Sequence, residues 1–283
     1  MTQIVQSLAE IADRYDALFV DLWGCVHNGV AALPEAVTAL QAYRRDFGGK
    51  VVLVTNAPRP RASVATQIAL LGVPEDAWDT ITTSGDSARS AMFQGVVGQN
   101  VFFMGEIDKD TPFFQPLAAL ENPIEITRVA LEQAEGIVCT GPFDPMAHPD
   151  TLRPQLLVAK QMGLKLLCAN PDIVVDRGET REWCAGAVAK LYTEMGGESL
   201  YFGKPHPPIY DLARRRLLAL GRDISDSDIM AIGDGLHTDV AGGEGEGIDT
   251  LFISGGLAAI ETRTTKGGQP DPKALNSYLT AEG

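Results

Sequence analysis

Short apolar runs alternate along this chain with segments in which apolar residues recur every third or fourth position. Ala17 to Val20, Val51 to Val54, Ile229 to Ile232 and Thr250 to Ile253 are the clearest strand signals. Between the first two lie Leu33, Val37 and Leu40 at helical spacing, with Pro34 near the helix start. After Thr55, Val64, Ile68 and Leu71 share a face that ends at Gly72 and Pro74. The order strand, crossover helix, strand, crossover helix predicts an α/β fold with a mainly parallel, Rossmann-like sheet. The middle third has its own strand candidates, Val101 to Met104, Gly136 to Cys139 and Lys165 to Cys168, with a helix expected from about Thr151 to Gln161. This pattern predicts a core made of residues 1–96 and 199–283, with residues 97–198 inserted as a second α/β unit.

Composition narrows the function classes. The 283 residues carry 23 Lys+Arg against 37 Asp+Glu, a net charge of −14. Such a surface repels polyanions, so nucleic acid and anionic membranes are not the expected partners. A phosphate site in this chain must build its positive potential locally. The cysteines Cys25, Cys139, Cys168 and Cys184 lack the spacing of a zinc or redox motif and read as reduced, buried thiols of a cytoplasmic protein. Met1 to Tyr15 does not read as a secretory signal, and no apolar stretch approaches the roughly 18 residues of a membrane span.

Chemistry concentrates where the strand signals end. In an open parallel sheet, the carboxyl ends of neighbouring strands line one crevice, and ligands bind there. Phe19-Val20 runs into Asp21, Leu53-Val54 into Thr55-Asn56, and Ala231-Ile232-Gly233 into Asp234; Gly203-Lys204-Pro205 lies just before a helix signal. Taken singly, each has a bland explanation as a helix cap, a turn or a surface charge. Together they meet the needs of phosphoryl transfer. A carboxylate such as Asp21 can attack phosphorus once a divalent cation bridges the two anions, and magnesium takes a few carboxylates plus substrate oxygens. Asp234 supplies a second carboxylate, with Asp239 five residues on. The Thr55 hydroxyl, the Asn56 main-chain N–H and the Lys204 ammonium are suited to the equatorial phosphoryl oxygens.

These four segments resemble the motifs of the haloacid dehalogenase superfamily of aspartate-nucleophile phosphatases. The likeness covers essentially the whole chain. His27-Asn28-Gly29, Thr55-Asn56, Thr83-Ser84 and Ala169-Asn170-Pro171-Asp172 resemble its branch with a large inserted α/β cap, which includes p-nitrophenyl-phosphatase, phosphoglycolate-phosphatase and pyridoxal-phosphatase relatives. The resemblance implies that Asp21 forms an aspartyl-phosphate in a phosphatase acting on a small phosphorylated metabolite. Asp21, the main-chain carbonyl of Trp23 and Asp234 would bind Mg2+, with Asp239 binding it or ordering its water. Thr55, Asn56 and Lys204 would hold the phosphoryl group. The family's specificity loop falls near Asn170, Asp172, Arg177 and Arg181. Capped relatives are often dimeric, so a homodimer is one assembly the resemblance allows.

One departure from the pattern matters. The family's hydrolases carry a second Asp two residues after the nucleophile, and here that position is Trp23, whose indole cannot transfer a proton at neutral pH. General acid–base catalysis contributes about 10²–10⁴-fold. The expectation is therefore a slow or specialised phosphatase, with His27, His206 and His237 as candidates for the lost proton transfer, though each suits packing or capping better. The alternative is a protein that binds or senses a phosphorylated ligand without turning it over.

Overall fold

A computed structural model describes residues 3–117, 120–177 and 180–282, with residues 176 and 177 described by backbone alone. Its strands are β1 (Ala17–Val20), β2 (Lys50–Thr55), β3 (Thr80–Thr83), β4 (Asn100–Met104), β5 (Thr127–Arg128), β6 (Gly136–Cys139), β7 (Lys165–Cys168), β8 (Val174–Arg177), β9 (Thr180–Trp183), β10 (Glu198–Tyr201), β11 (Ile229–Gly233) and β12 (Asp249–Phe252). The chain divides into two compact units, residues 1–55, 65–82 and 210–283 in one and residues 56–64 and 83–209 in the other. The second unit thus takes in residues 56–64, 83–96 and 199–209 besides the segment expected as the insert.

In the first unit the sheet runs β12-β11-β1-β2-β3. β1 lies between β11 and β2, parallel to both, with Val20 opposite Ile232 on one side and Leu53 on the other. Every residue of β1 and β11 is buried. A parallel strand covered on both faces needs such an unbroken apolar run, and this is why Ala17-Leu18-Phe19-Val20 was readable in advance. The helix Pro34–Ala42 starts on its proline, whose missing N–H costs nothing at a helix start.

The second unit carries a parallel sheet in the order β10-β7-β6-β4-β5. The helix Arg153–Gln161 and the helix Ala185–Glu194 bury Leu156, Ala159, Val188 and Tyr192 in one cluster with Ile137 and Leu166 of the sheet. The pair β8–β9 is an antiparallel ribbon where the sequence reading expected a polar loop. Asp176 faces Arg181 and Arg177 faces Thr180, so main-chain pairing forms the ribbon without an apolar alternation to announce it. No helix among the described residues is long and apolar enough to cross a membrane.

Candidate active site

The site grows from the carboxyl end of β1. The Asp21 N–H continues the ladder to Ile232 O at 2.8 Å, after which the chain leaves the sheet. It turns back at once, since the N–H groups of Val26 and His27 both donate to Leu22 O, at 2.9 and 3.0 Å. Gly24 makes the reversal at φ +79°, a left-handed conformation that glycine adopts without a Cβ penalty. The turn brings residue 25 back beside residue 21. Ligand atoms of Asp21, Cys25 and Asp234 all lie within 4.8 Å of one another, and all three residues are buried.

Asp234 reaches this group from the end of β11 and is hemmed in by glycine. A Cβ on Gly24 would lie 2.0 Å from its Oδ2, and one on Gly256 would lie 2.1 Å from the same oxygen. That oxygen also accepts the Leu257 N–H at 2.9 Å. Asp239 stands outside the group of three. Its Oδ2 accepts from the Gly235 N–H and the Thr238 hydroxyl, each at 3.2 Å, which braces the turn that follows Asp234.

Trp23 is wedged into the same loop. Its indole lies over Gly29, where a Cβ would come within 2.5 Å of the ring, and it packs nearly perpendicular to the His27 imidazole, with the ring centroids 5.1 Å apart. His27 Nδ1 accepts the Gly29 N–H at 3.1 Å. Burial pushes the His27 pKa down to about 4, so the ring is neutral at pH 7 and holds no spare proton for a leaving group. His237 is exposed and pairs with Glu282. His206 stacks on Tyr201 at 4.7 Å, in the second unit, and burial also lowers its pKa. All three histidines therefore have packing or pairing partners.

The second unit assembles the other short motifs. Asn56 Oδ1 accepts the Lys204 N–H at 2.7 Å, and its Nδ2 donates to Lys204 O at 3.1 Å and to Asp172 Oδ1 at 2.8 Å. The Asn56 carboxamide is thus occupied within the protein. Asn170 Oδ1 in turn accepts the Asp172 N–H at 3.0 Å. Gly203 completes the convergence, because a Cβ there would lie 2.4 Å from Asn56 Oδ1 and 2.6 Å from both Pro171 and Ser84. Gly186 plays a similar part at the start of its helix, where a Cβ would meet Pro171 O at 2.0 Å. Asn56, Lys204, Asn170 and Asp172 are therefore neighbours. Arg181 is exposed on β9, and the Arg177 side chain lies outside the described residues.

Sequence reasoning passed over Cys25 as a packed thiol. The signal available was its place four residues after Asp21 with a glycine between them, which permits a tight reversal. The other three cysteines are buried, and none of the four is in a disulfide. Burial raises the Cys139 pKa to about 12 and moves Cys168 and Cys184 upward as well, so these thiols are inert at pH 7.

Two family models match the chain, one described as haloacid dehalogenase-like hydrolase over residues 18–113 and one as HAD-hydrolase-like over residues 201–280. The crystal structure of a haloacid dehalogenase-like hydrolase from Brucella suis 1330 is 39% identical, covers 96% of each chain and superposes with a TM-score of 0.84. The chain belongs to the haloacid dehalogenase-like hydrolase family. The matched segments of this haloacid dehalogenase-like protein contain Asp21 and Thr55 in the first and Lys204, Asp234 and Asp239 in the second. It is also similar to the acid sugar phosphatase of Staphylococcus saprophyticus, at 22% identity over 91% of this chain and 93% of the relative. A glycerol phosphate phosphatase from Mycobacterium tuberculosis, crystallised with magnesium, shares the fold at 24% identity, with a TM-score of 0.66 over 94% of this chain and 78% of that one.

Proposed function

We propose that this protein is a phosphomonoesterase dependent on a divalent cation, in which Asp21 attacks the phosphoryl group of a small metabolite and carries it as an aspartyl-phosphate. The observation that supports this most directly is the convergence of the Asp21 and Asp234 carboxylates at the ends of adjacent parallel strands. Two buried carboxylates this close repel each other, and a cation offsets that repulsion. The glycines at 24 and 256 leave no side chain in the way, so the residues present fit a hard divalent ion such as Mg2+. Asp21 and Asp234 would hold it, together with the Trp23 main-chain carbonyl assigned from the motif. Bound there, the ion supplies charge neutralisation between carboxylate and phosphoryl oxygens.

The remaining roles belong to the chain's own groups. Thr55, the Asn56 main-chain N–H and Lys204 are assigned to the phosphoryl oxygens from their motif positions. The Asn56 side chain is already committed to Lys204 and Asp172, which leaves its N–H for that task. Asp239 steadies the turn after Asp234. Asn170, Asp172, Arg177 and Arg181 are assigned to the leaving group, where either arginine could pair with a second anionic substituent. The sugar-phosphate and glycerol-phosphate activities in the names of relatives support a small phosphorylated substrate.

Hydrolysis of p-nitrophenyl phosphate with Mg2+, beside an Asp21→Asn control, tests the mechanism, and a panel of phosphomonoesters then ranks substrates. We expect activity that needs the cation and falls roughly a thousandfold or more in the control. Activity that persists in Asp21→Asn removes the nucleophile. A second reading, a phosphate-binding protein without turnover, is favoured by the indole of Trp23 in the position of the proton donor. Tight binding of beryllium fluoride with no hydrolysis of any ester would establish it.

A further inference from the structure

The loop that follows β12 comes back onto Asp234. The Ile253 N–H still pairs with Gly233 O at 2.8 Å, and the Leu257 N–H then donates to Asp234 Oδ2 at 2.9 Å. Gly256 lies against the same side chain, since a Cβ there would stand 2.1 Å from its Oδ2 and 2.6 Å from its Cγ. Apolar packing contributes little to holding this loop. Leu257 and Ile260 are 67% and 88% exposed, and between residues 254 and 264 Ala258 is the one buried apolar side chain. A group of hydroxyls does the anchoring. The Thr262 hydroxyl donates to Ala258 O at 2.7 Å, with Ser254 O a second acceptor at 3.1 Å. It also lies 2.7 Å from the Thr264 hydroxyl, which donates to Ser254 Oγ at 3.0 Å. Thr262 is wholly buried, and its main-chain carbonyl accepts the Asp271 N–H at 3.0 Å. Both ends of the loop and the residue next to Leu257 therefore meet at one side-chain oxygen.

We propose that Thr262 is a positioning residue for the cation site. Its hydroxyl holds the loop that keeps the Leu257 N–H on Asp234, and so fixes the direction in which that carboxylate faces a bound cation. The inference rests on the reading of Asp234 as a metal ligand. A partner outside the ligand set acts in this way by orienting the ligand before the ion arrives.

Calorimetric titration of the full chain with Mg2+ tests it. In Thr262→Val, which keeps the shape and removes the hydroxyl, affinity is expected to fall about tenfold, the low end of what losing such a partner costs. Thr262→Ser keeps the hydroxyl and should bind within about threefold of the wild-type protein. Ile260→Ala, a change at an exposed position of the same loop, should match wild type. Thr262→Val that binds Mg2+ as tightly as wild type overturns the inference and leaves Asp234 as a ligand, and a loss of stability alone in that variant makes Thr262 a structural residue only. Thr262→Ser that binds as weakly as Thr262→Val also overturns it, because the hydroxyl is then not what matters. Wild-type protein that binds no Mg2+, or Asp234→Asn that binds it equally well, removes the carboxylate site and this inference with it. Hydrogen exchange of the metal-free wild-type protein decides the matter where Thr262→Val does not fold. The Leu257 amide should exchange at least about tenfold more slowly than in an unstructured chain, and exchange at the unstructured rate overturns the inference.

Discussion

The carboxamide of Asn56 holds both main-chain groups of Lys204, 148 residues further along the chain, taking its N–H at 2.7 Å and giving a hydrogen to its carbonyl at 3.1 Å. The same amide nitrogen reaches Asp172 Oδ1 at 2.8 Å. One side chain thereby ties together three segments far apart in sequence. Asparagine is required because the position needs an acceptor on one side and two donated hydrogens on the other.

Asn56→Asp keeps the shape and reverses the donors. Two acceptors, Asp172 Oδ1 and Lys204 O, would then face a carboxylate oxygen. Leaving a buried group unsatisfied costs about 1–3 kcal/mol, and more when it is charged. We expect a loss of about 3 kcal/mol in urea unfolding, of which about 1–2 kcal/mol is recovered in the Asn56→Asp, Asp172→Asn double variant through their coupling. A double variant no more stable than Asn56→Asp would show that the contact with Asp172 carries no energy.

Trp23→Asp restores a proton donor where the indole now stands. With an alkyl phosphomonoester, whose leaving oxygen must be protonated, turnover should rise about 10²-fold, the low end of what acid–base catalysis contributes. With p-nitrophenyl phosphate, whose leaving group departs unprotonated, the first step should gain little. Steady-state kinetics on the two esters measures the difference. Equal, unchanged rates would mean that proton transfer does not limit this enzyme.

Stability should fall in mild acid because of His27. Its folded pKa of about 4 lies below the ordinary 6.5, so between those values the unfolded chain binds the extra proton. The contribution is present above pH 6.5 and is lost as pH drops toward 4. Between pH 7.5 and 5 it amounts to about 2 kcal/mol. Urea midpoints at these two pH values check the loss. In His27→Gln, which can still accept the Gly29 N–H, most of that pH dependence should vanish.

Gly24→Ala adds a single methyl group in the worst place. The left-handed backbone costs about 1–2 kcal/mol for a residue with a Cβ, and the new carbon would lie 2.0 Å from Asp234 Oδ2. We expect destabilisation of at least about 2 kcal/mol, together with weakened Mg2+ binding by calorimetry as Asp234 is displaced. Unchanged metal affinity would separate Asp234 from the cation.

The strands that sequence reading caught and missed differ in one physical respect. Ala17–Val20, Gly136–Cys139 and Lys165–Cys168 match their expected bounds, and most of their residues are buried. Burial on both faces demands apolar residues, so the requirement is written into the residues themselves. Thr80–Thr83 is equally buried but is built mostly of threonine, and Glu198–Tyr201 is a partly exposed edge strand. Neither leaves an apolar run to read. The glycine-rich stretch near residue 242 forms the short helix Ala241–Glu246.

The residue order alone dictated an α/β chain whose central strands end in Asp21, Thr55 and Asp234, since hydrophobic periodicity and strand termini are local properties. The folded chain decided which side chains then meet. A left-handed turn at Gly24 carries Cys25 back to Asp21, Gly29 makes room for Trp23, and Asn56 closes on Lys204 across 148 residues. Such meetings depend on backbone reversals and long-range packing, which no window of neighbouring residues encodes.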